Sequence, residues 1–155
     1  MLFENIHTDA GVAEITIGYS QHIPSQDRIK IINHIQAVNV LRYVWDERTI
    51  ELYESFKVIL LNRNNRLLGV ISLSEGGMAG TVVDIRLIFA VALKTAAHSI
   101  IIAHNHPSGN LNPSDSDIMF TNKISEAGKI LDIMLLDHII LTKDTYYSFL
   151  DYNMI

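Results

Sequence analysis

The stretch IIAHNHPSGNLNPSDSDI, residues 101–118, sets two histidines, two prolines, a glycine and two aspartates behind an apolar run. With the two residues before it, it begins as SIIIAH, a short apolar strand of the kind found inside a sheet covered on both faces. Residues two apart on a strand project to one face, so His104 and His106 converge where the strand stops. Pro107, Gly109 and Pro113 turn the chain back. Ser114 and Asp117 then stand three apart, as the N-cap and N3 of a capping box, before a helix marked by Phe120, Ile124, Ala127 and Leu131.

Outward from this stretch, strands and helices alternate irregularly. Ala13, Ile15, Ile17 and Tyr19 alternate with polar residues or glycine and predict an early strand. HIPSQDRIKI reads as an irregular connection. Asn33 and Gln36 resemble a capping box for a helix whose face is Ala37, Val40, Leu41 and Val44, ending near Trp45. SFKVILLN is a buried strand, RNN a turn and LLGVISLS its hairpin partner. EGGMAG is a glycine-rich loop, after which Asp84 caps a helix through RLIFAVALKTAA. IMLLDHIILT and YYSFL close the sheet. The expected class is α/β or α+β, a mixed sheet with flanking helices. Residues 1–28 are expected to form an arm and residues 29–155 a single domain.

The 155 residues are 48% hydrophobic and 19% charged, with a net charge of −5. That suffices for one core and disfavours binding to phosphate backbones, which reward clustered Lys and Arg. With no cysteine, disulfides, thiolate nucleophiles and Cys-based zinc sites are all excluded. No segment has the apolar core of a signal peptide or the roughly 18 apolar residues of a membrane span. A cytoplasmic protein without membrane partners is the expectation.

Two neutral imidazoles are good zinc ligands, but a catalytic zinc commonly takes three protein ligands and keeps one position open. Asp117, in the first turn of the next helix, is the third candidate. Its capping-box role explains the helix start without any metal, but leaves the paired histidines and the short rigid loop unexplained.

The string HNHPSGNLNPSDSD resembles the JAMM motif of the MPN+ metalloprotease superfamily. SIIIAHNHPSGNLNPSDSDI, LDIMLLDHIIL, YYSF, ESFKVILLNRNNRLLG and GGMAGTVVD together resemble the RadC family, known historically as DNA repair proteins, over roughly residues 29 to 150. The resemblance implies His104, His106 and Asp117 as ligands of one Zn2+ per chain, with Ser114 as the motif serine. It also implies a JAMM-type mixed sheet in three layers, related to that of cytidine deaminases. Longer members carry an N-terminal helix-hairpin-helix that binds DNA; its glycine-rich hairpin is missing here, so a short form is expected. Ile85 stands where the family usually has proline.

A hydrolase of this kind needs a carboxylate to take a proton from water and hand it to the leaving amine, and the resemblance implies an upstream glutamate. Glu54 opens the strand ESFKVILL and Glu75 lies in the glycine loop, with Glu51 a third candidate. Glu54 is preferred, because strand ends hold geometry better than glycine loops. Ser114 either caps its helix or donates toward the oxyanion of the attacked carbonyl. Asp137 and His138 read either as supports behind a ligand or as a satisfied core pair; His7, His22, His34 and His98 form no grouping.

The leading expectation is a zinc metallohydrolase cutting a peptide or isopeptide amide in a peptide or protein substrate. The alternatives are action on or near nucleic acid, which the charge does not support, and a non-catalytic MPN interaction domain. A zinc deaminase would need His-x-Glu and Cys-x-x-Cys, and this chain has no cysteine.

Overall fold

The computed structural model describes residues 19–76 and 83–155. The early strand expected over Ala13–Ile17, His7 and most of the glycine-rich loop lie outside the described residues. Among the described residues, after a 3-10 turn at Ser25–Asp27, the elements run α1 (His34–Val44), β1 (Ser55–Leu61), β2 (Leu67–Glu75), α2 (Ile85–Lys94), β3 (Ser99–Asn105), α3 (Asp115–Ile130), β4 (Met134–Leu141) and β5 (Tyr146–Ser148).

The five strands form one sheet in the order β2-β1-β3-β4-β5. β1 is antiparallel to β2 and β3, β3 is parallel to β4, and β4 is antiparallel to β5. A parallel pair needs a long crossover, and here α3 supplies it. The hairpin turn between β1 and β2 uses Asn65 at φ 53°, a residue type that tolerates the left-handed region.

Both faces of the sheet are covered, which explains the unbroken apolar runs of β1 and β3. On one face Ile59, Leu61, Ile101 and Ala103 pack with Ala37, Val38, Val40 and Leu41 of α1. On the other, Val58, Leu60, Ile100 and Ile102 pack with Ile88, Phe89 and Ala92 of α2 and Ile124 of α3. The result is a mixed α+β domain of three layers, helix, sheet and helices.

The helix starts follow their side chains. Asn33 Oδ1 accepts from Gln36 N at 3.0 Å, while Gln36 Oε1 reaches past the cap to accept from Ile32 N at 2.8 Å. The α1 box is thus displaced by one residue from its ideal form. Asp84 caps α2 by accepting from Arg86 N. That helix stops at Lys94, short of the expected end, where the Thr95 hydroxyl donates to the Val91 carbonyl and Ala96 takes φ 52°. Within α3, Gly128 leaves room for the chain to turn into β4: a Cβ there would lie 2.3 Å from the Ile133 carbonyl oxygen.

Candidate metal centre

β3 carries His104 into the edge of the core, where it is 6% exposed. His106 follows the strand, its N–H still donating to Leu141 O at 2.9 Å, so both imidazoles stay on one face. The loop then doubles back. Gly109 N donates to His106 O at 3.1 Å, and Gly109 takes φ 77° in open space, so it is backbone conformation and not crowding that favours glycine there. This turn brings the Asn110 carbonyl 2.6 Å from His106 Nδ1. A carbonyl only accepts, so His106 holds a proton on Nδ1 and turns its Nε2 inward.

Asp117 reaches the same point from the first turn of α3. Its Oδ2 accepts from Ser114 N at 2.7 Å and from Ser114 Oγ at 2.6 Å, while Asp117 N donates to Ser114 Oγ at 3.2 Å. The capping box is complete, with an aspartate where glutamate is usual. The second oxygen, Oδ1, lies 3.4 Å from His104 Nε2, and Oδ2 lies 3.8 Å from His106 Nε2. The two Nε2 atoms are 2.9 Å apart. His104, His106 and Asp117 thereby offer one ligand atom each within 4.8 Å of one another.

The dimensions suit a metal ion. A tetrahedral ion with bonds of about 2.0–2.1 Å separates its ligand atoms by about 3.3–3.4 Å; Asp117 Oδ1 stands at that length, 3.4 Å, from His104 Nε2, and the two Nε2 atoms are somewhat closer, at 2.9 Å. The donor chemistry also fits, with two imidazole nitrogens and one carboxylate. The cap and the ligand roles of Asp117 are compatible, because they use different oxygens. Burial pushes His104 down to about 4, opposed by the Asp117 carboxylate and reinforced by His106, so its ring is neutral at pH 7 and can offer a lone pair.

Ser114 is engaged by Asp117 in both directions, as donor and acceptor. To donate to a substrate oxygen, its hydroxyl would have to rotate away from Oδ2. Glu54 sits one residue before β1. Phe56 pairs with His104, and continuing that register by two residues sets Glu54 across from His106, on the same face. The backbone there is held on both sides: Ser55 N donates to Asn105 Oδ1 at 2.7 Å, and Gly76 N donates to Glu54 O at 3.1 Å. Glu75 ends β2 with its Cα opposite that of Ser55. Glu51 forms an exposed ion pair with Lys143 at 2.7 Å.

The side chains of Asp137 and His138 do not pair with each other. Asp137 accepts from Ser148 Oγ at 2.6 Å and Leu150 N at 3.0 Å, tying β5 to β4, and burial raises its pKa. His138 lies 2.8 Å from His104 Nδ1, stacked on Phe149 with ring centroids 4.5 Å apart. Burial holds its pKa well below the usual histidine value.

Two features here had no sequence signal. One is Asn105, the middle letter of HNH, whose amide donates to Ile50 O at 2.7 Å and Tyr53 O at 2.8 Å and so braces the turn that delivers Glu54. The other is Thr121, one helical turn after Asp117, whose Oγ1 lies 2.6 Å from His138 Nδ1.

A mixed sheet between helices, with His-x-His at a central strand end and an aspartate in the first turn of the next helix, defines a JAB/MPN-type domain. The model of the RadC-like JAB domain family matches residues 31–154, and the chain belongs to that family. Among curated relatives, a UPF0758 protein of Flavobacterium johnsoniae is 50% identical over 99 residues, covering 64% of this chain and 43% of the relative. A UPF0758 protein of Chlorobaculum parvum is 31% identical over 169 aligned positions, covering 96% and 76%. One from Neisseria gonorrhoeae is 40% identical over 124 residues, covering 80% and 54%. The matched stretch thus spans about half the length of the Flavobacterium and Neisseria relatives. Among the described residues, no helix is long and apolar enough to cross a membrane.

Proposed function

We propose that this domain is a zinc-dependent metallohydrolase that cuts a peptide or isopeptide amide, with His104, His106 and Asp117 holding the ion and Glu54 handling the proton. The observation that carries the reading is the convergence of one ligand atom each from His104, His106 and Asp117, on β3, its following loop and α3, within 4.8 Å of one another. When bound in such a three-ligand site, zinc lowers the pKa of water to about 7 and polarises a carbonyl.

The chain's own residues would divide the remaining work. Glu54, across from His106 in the extended register, is placed to take a proton from water at the site and return it to the leaving amine. Asn105 keeps that carboxylate in place from behind, through three hydrogen bonds to the turn and the strand start. Ser114 keeps Asp117 oriented and, on rotating its hydroxyl, can donate to the oxygen of the attacked carbonyl. A peptide or protein is the favoured substrate class, since a net charge of −5 gives little attraction to nucleic acid.

The test has two arms. Metal analysis of the purified protein should find about one zinc per chain, lost on His106→Ala; a His106→Ala protein with full zinc content would refute the ligand assignment. Glu54→Gln should keep the zinc and abolish cleavage of amide-linked substrates. If Glu75→Gln does so and Glu54→Gln does not, the base is Glu75.

A further inference from the structure

Behind the candidate metal centre a line of hydrogen bonds runs into the core. Thr121 Oγ1 lies 2.7 Å from the Asp117 carbonyl oxygen and 2.6 Å from His138 Nδ1. His138 Nε2 lies 2.8 Å from His104 Nδ1. Distances alone leave the protons unplaced, but the chemistry of the end group places them.

A hydroxyl has one proton, and a carbonyl oxygen only accepts. Thr121 therefore donates to Asp117 O and accepts from Nδ1–H of His138. A neutral imidazole protonated on Nδ1 has a bare Nε2, so His138 accepts from Nδ1–H of His104. His104 is left with a bare Nε2, 2.9 Å from the bare Nε2 of His106 and 3.4 Å from Asp117 Oδ1, a set of acceptors whose mutual repulsion a bound cation would relieve. The reverse arrangement fails at the first step. It aims the Thr121 proton at His138, leaving two oxygen acceptors 2.7 Å apart with no proton between them. Thr121 and His138 are each 1% exposed, so solvent cannot supply the missing partner. The neighbours of His138 are His104, Thr121 and the rings of Phe56 and Phe149, while Asp137 is turned to Ser148 and Leu150.

We propose that Thr121 and His138 are positioning residues for the metal, which together hold the His104 proton on Nδ1 and so present its Nε2 as a ligand. The proposal rests on reading His104, His106 and Asp117 as a metal site. It also joins two of those ligands behind the ion, because the relay that begins on the Asp117 carbonyl ends on His104.

The test uses the full chain and two readouts. In the zinc-free wild type, imidazole nitrogen NMR should find His104 protonated on Nδ1 and bare on Nε2. In chelator competition, Thr121→Val should weaken zinc binding by about 10–100-fold, the usual effect of losing a partner behind a ligand. Thr121→Ser, which restores the hydroxyl, should return the affinity to near wild type. A threonine that only packed would change the stability of the Val variant and leave the His104 proton where it was. The proposal is overturned if His104 of the wild type carries its proton on Nε2, or if a folded Thr121→Val variant binds zinc as tightly as wild type. Should that variant not fold, the wild-type spectra decide alone. If the wild type takes up no zinc while His104 keeps its proton on Nδ1, the metal reading falls and the proton relay stands.

Discussion

Replacing Asp117 by asparagine separates the two duties of one carboxylate. In the wild type, Oδ2 accepts two hydrogen bonds from Ser114, and Oδ1 lies 3.4 Å from His104 Nε2. Asparagine keeps one oxygen, and the capping box claims it, so the amide NH2 turns toward His104 and His106. A donor then stands where a ligand lone pair is needed. Stability without metal should fall only by the loss of a negative charge at a helix N-terminus, about 0.3–1 kcal/mol. For a domain of this size each kcal/mol moves Tm by about 2–4 °C, so the zinc-free variant should melt roughly 1–4 °C lower. The metal response should differ far more. Free zinc at about 100 times its Kd stabilises the native state by about 2.7 kcal/mol, which corresponds to a wild-type rise of roughly 5–11 °C. The variant should show almost none of it. The assay is a pair of thermal melts, with chelator and with buffered zinc, on both proteins. An Asp117→Asn protein that gains as many degrees from zinc as wild type would refute the assignment of Oδ1 as a ligand atom.

Three further outcomes are expected. His104 is held at about 4 against a usual 6.5, so between those values the unfolded chain binds more protons than the native one. Zinc-free stability measured by urea melts should therefore drop as pH falls from 6.5 to 4, by roughly 3 kcal/mol from this group; His138 acts in the same direction, while the raised Asp137 acts oppositely above 3.8. Gly128→Ala forces a Cβ to within 2.3 Å of a backbone carbonyl and should cost about 1–3 kcal/mol in the same melts; an unchanged midpoint would show that the turn from α3 into β4 has slack. Asn105→Ala leaves Ile50 O, Tyr53 O and Ser55 N without their partner, at about 1–3 kcal/mol for each group left buried and unsatisfied; a loss below 1 kcal/mol would mean that the brace is dispensable.

Local signals in the sequence were strong where side chains act on their own backbone. Asn33, Asp84 and Ser114 each cap the helix that follows, because a short polar side chain before an apolar-periodic run has few other uses. The apolar run before His104 made β3 legible, and the two-residue period put both imidazoles on one face. Leu131 was less legible. Its spacing suggests the inner face of α3, yet it is the C-cap and is 40% exposed, since helical periodicity carries no mark of where the last turn frays. What escaped were partners defined by another residue's backbone or by distant pairing. The Asn110 carbonyl beside His106 belongs to a residue chosen for its turn. Thr121 looks like any helical threonine until β4 brings His138 against it. The parallel pairing of β3 with β4, which makes that contact, follows from the whole sheet and from no single stretch.

All three candidate ligands come from one uninterrupted segment, His104 to Asp117, while Glu54 arrives just ahead of a separate strand. On the proposed function, affinity for the ion and the ability to turn over a substrate would then be separable heritable traits. Drift that erases the glutamate would leave an ion carrier on an intact scaffold, whereas the segment grafted elsewhere would keep its full affinity only beside a threonine and a histidine placed to back His104.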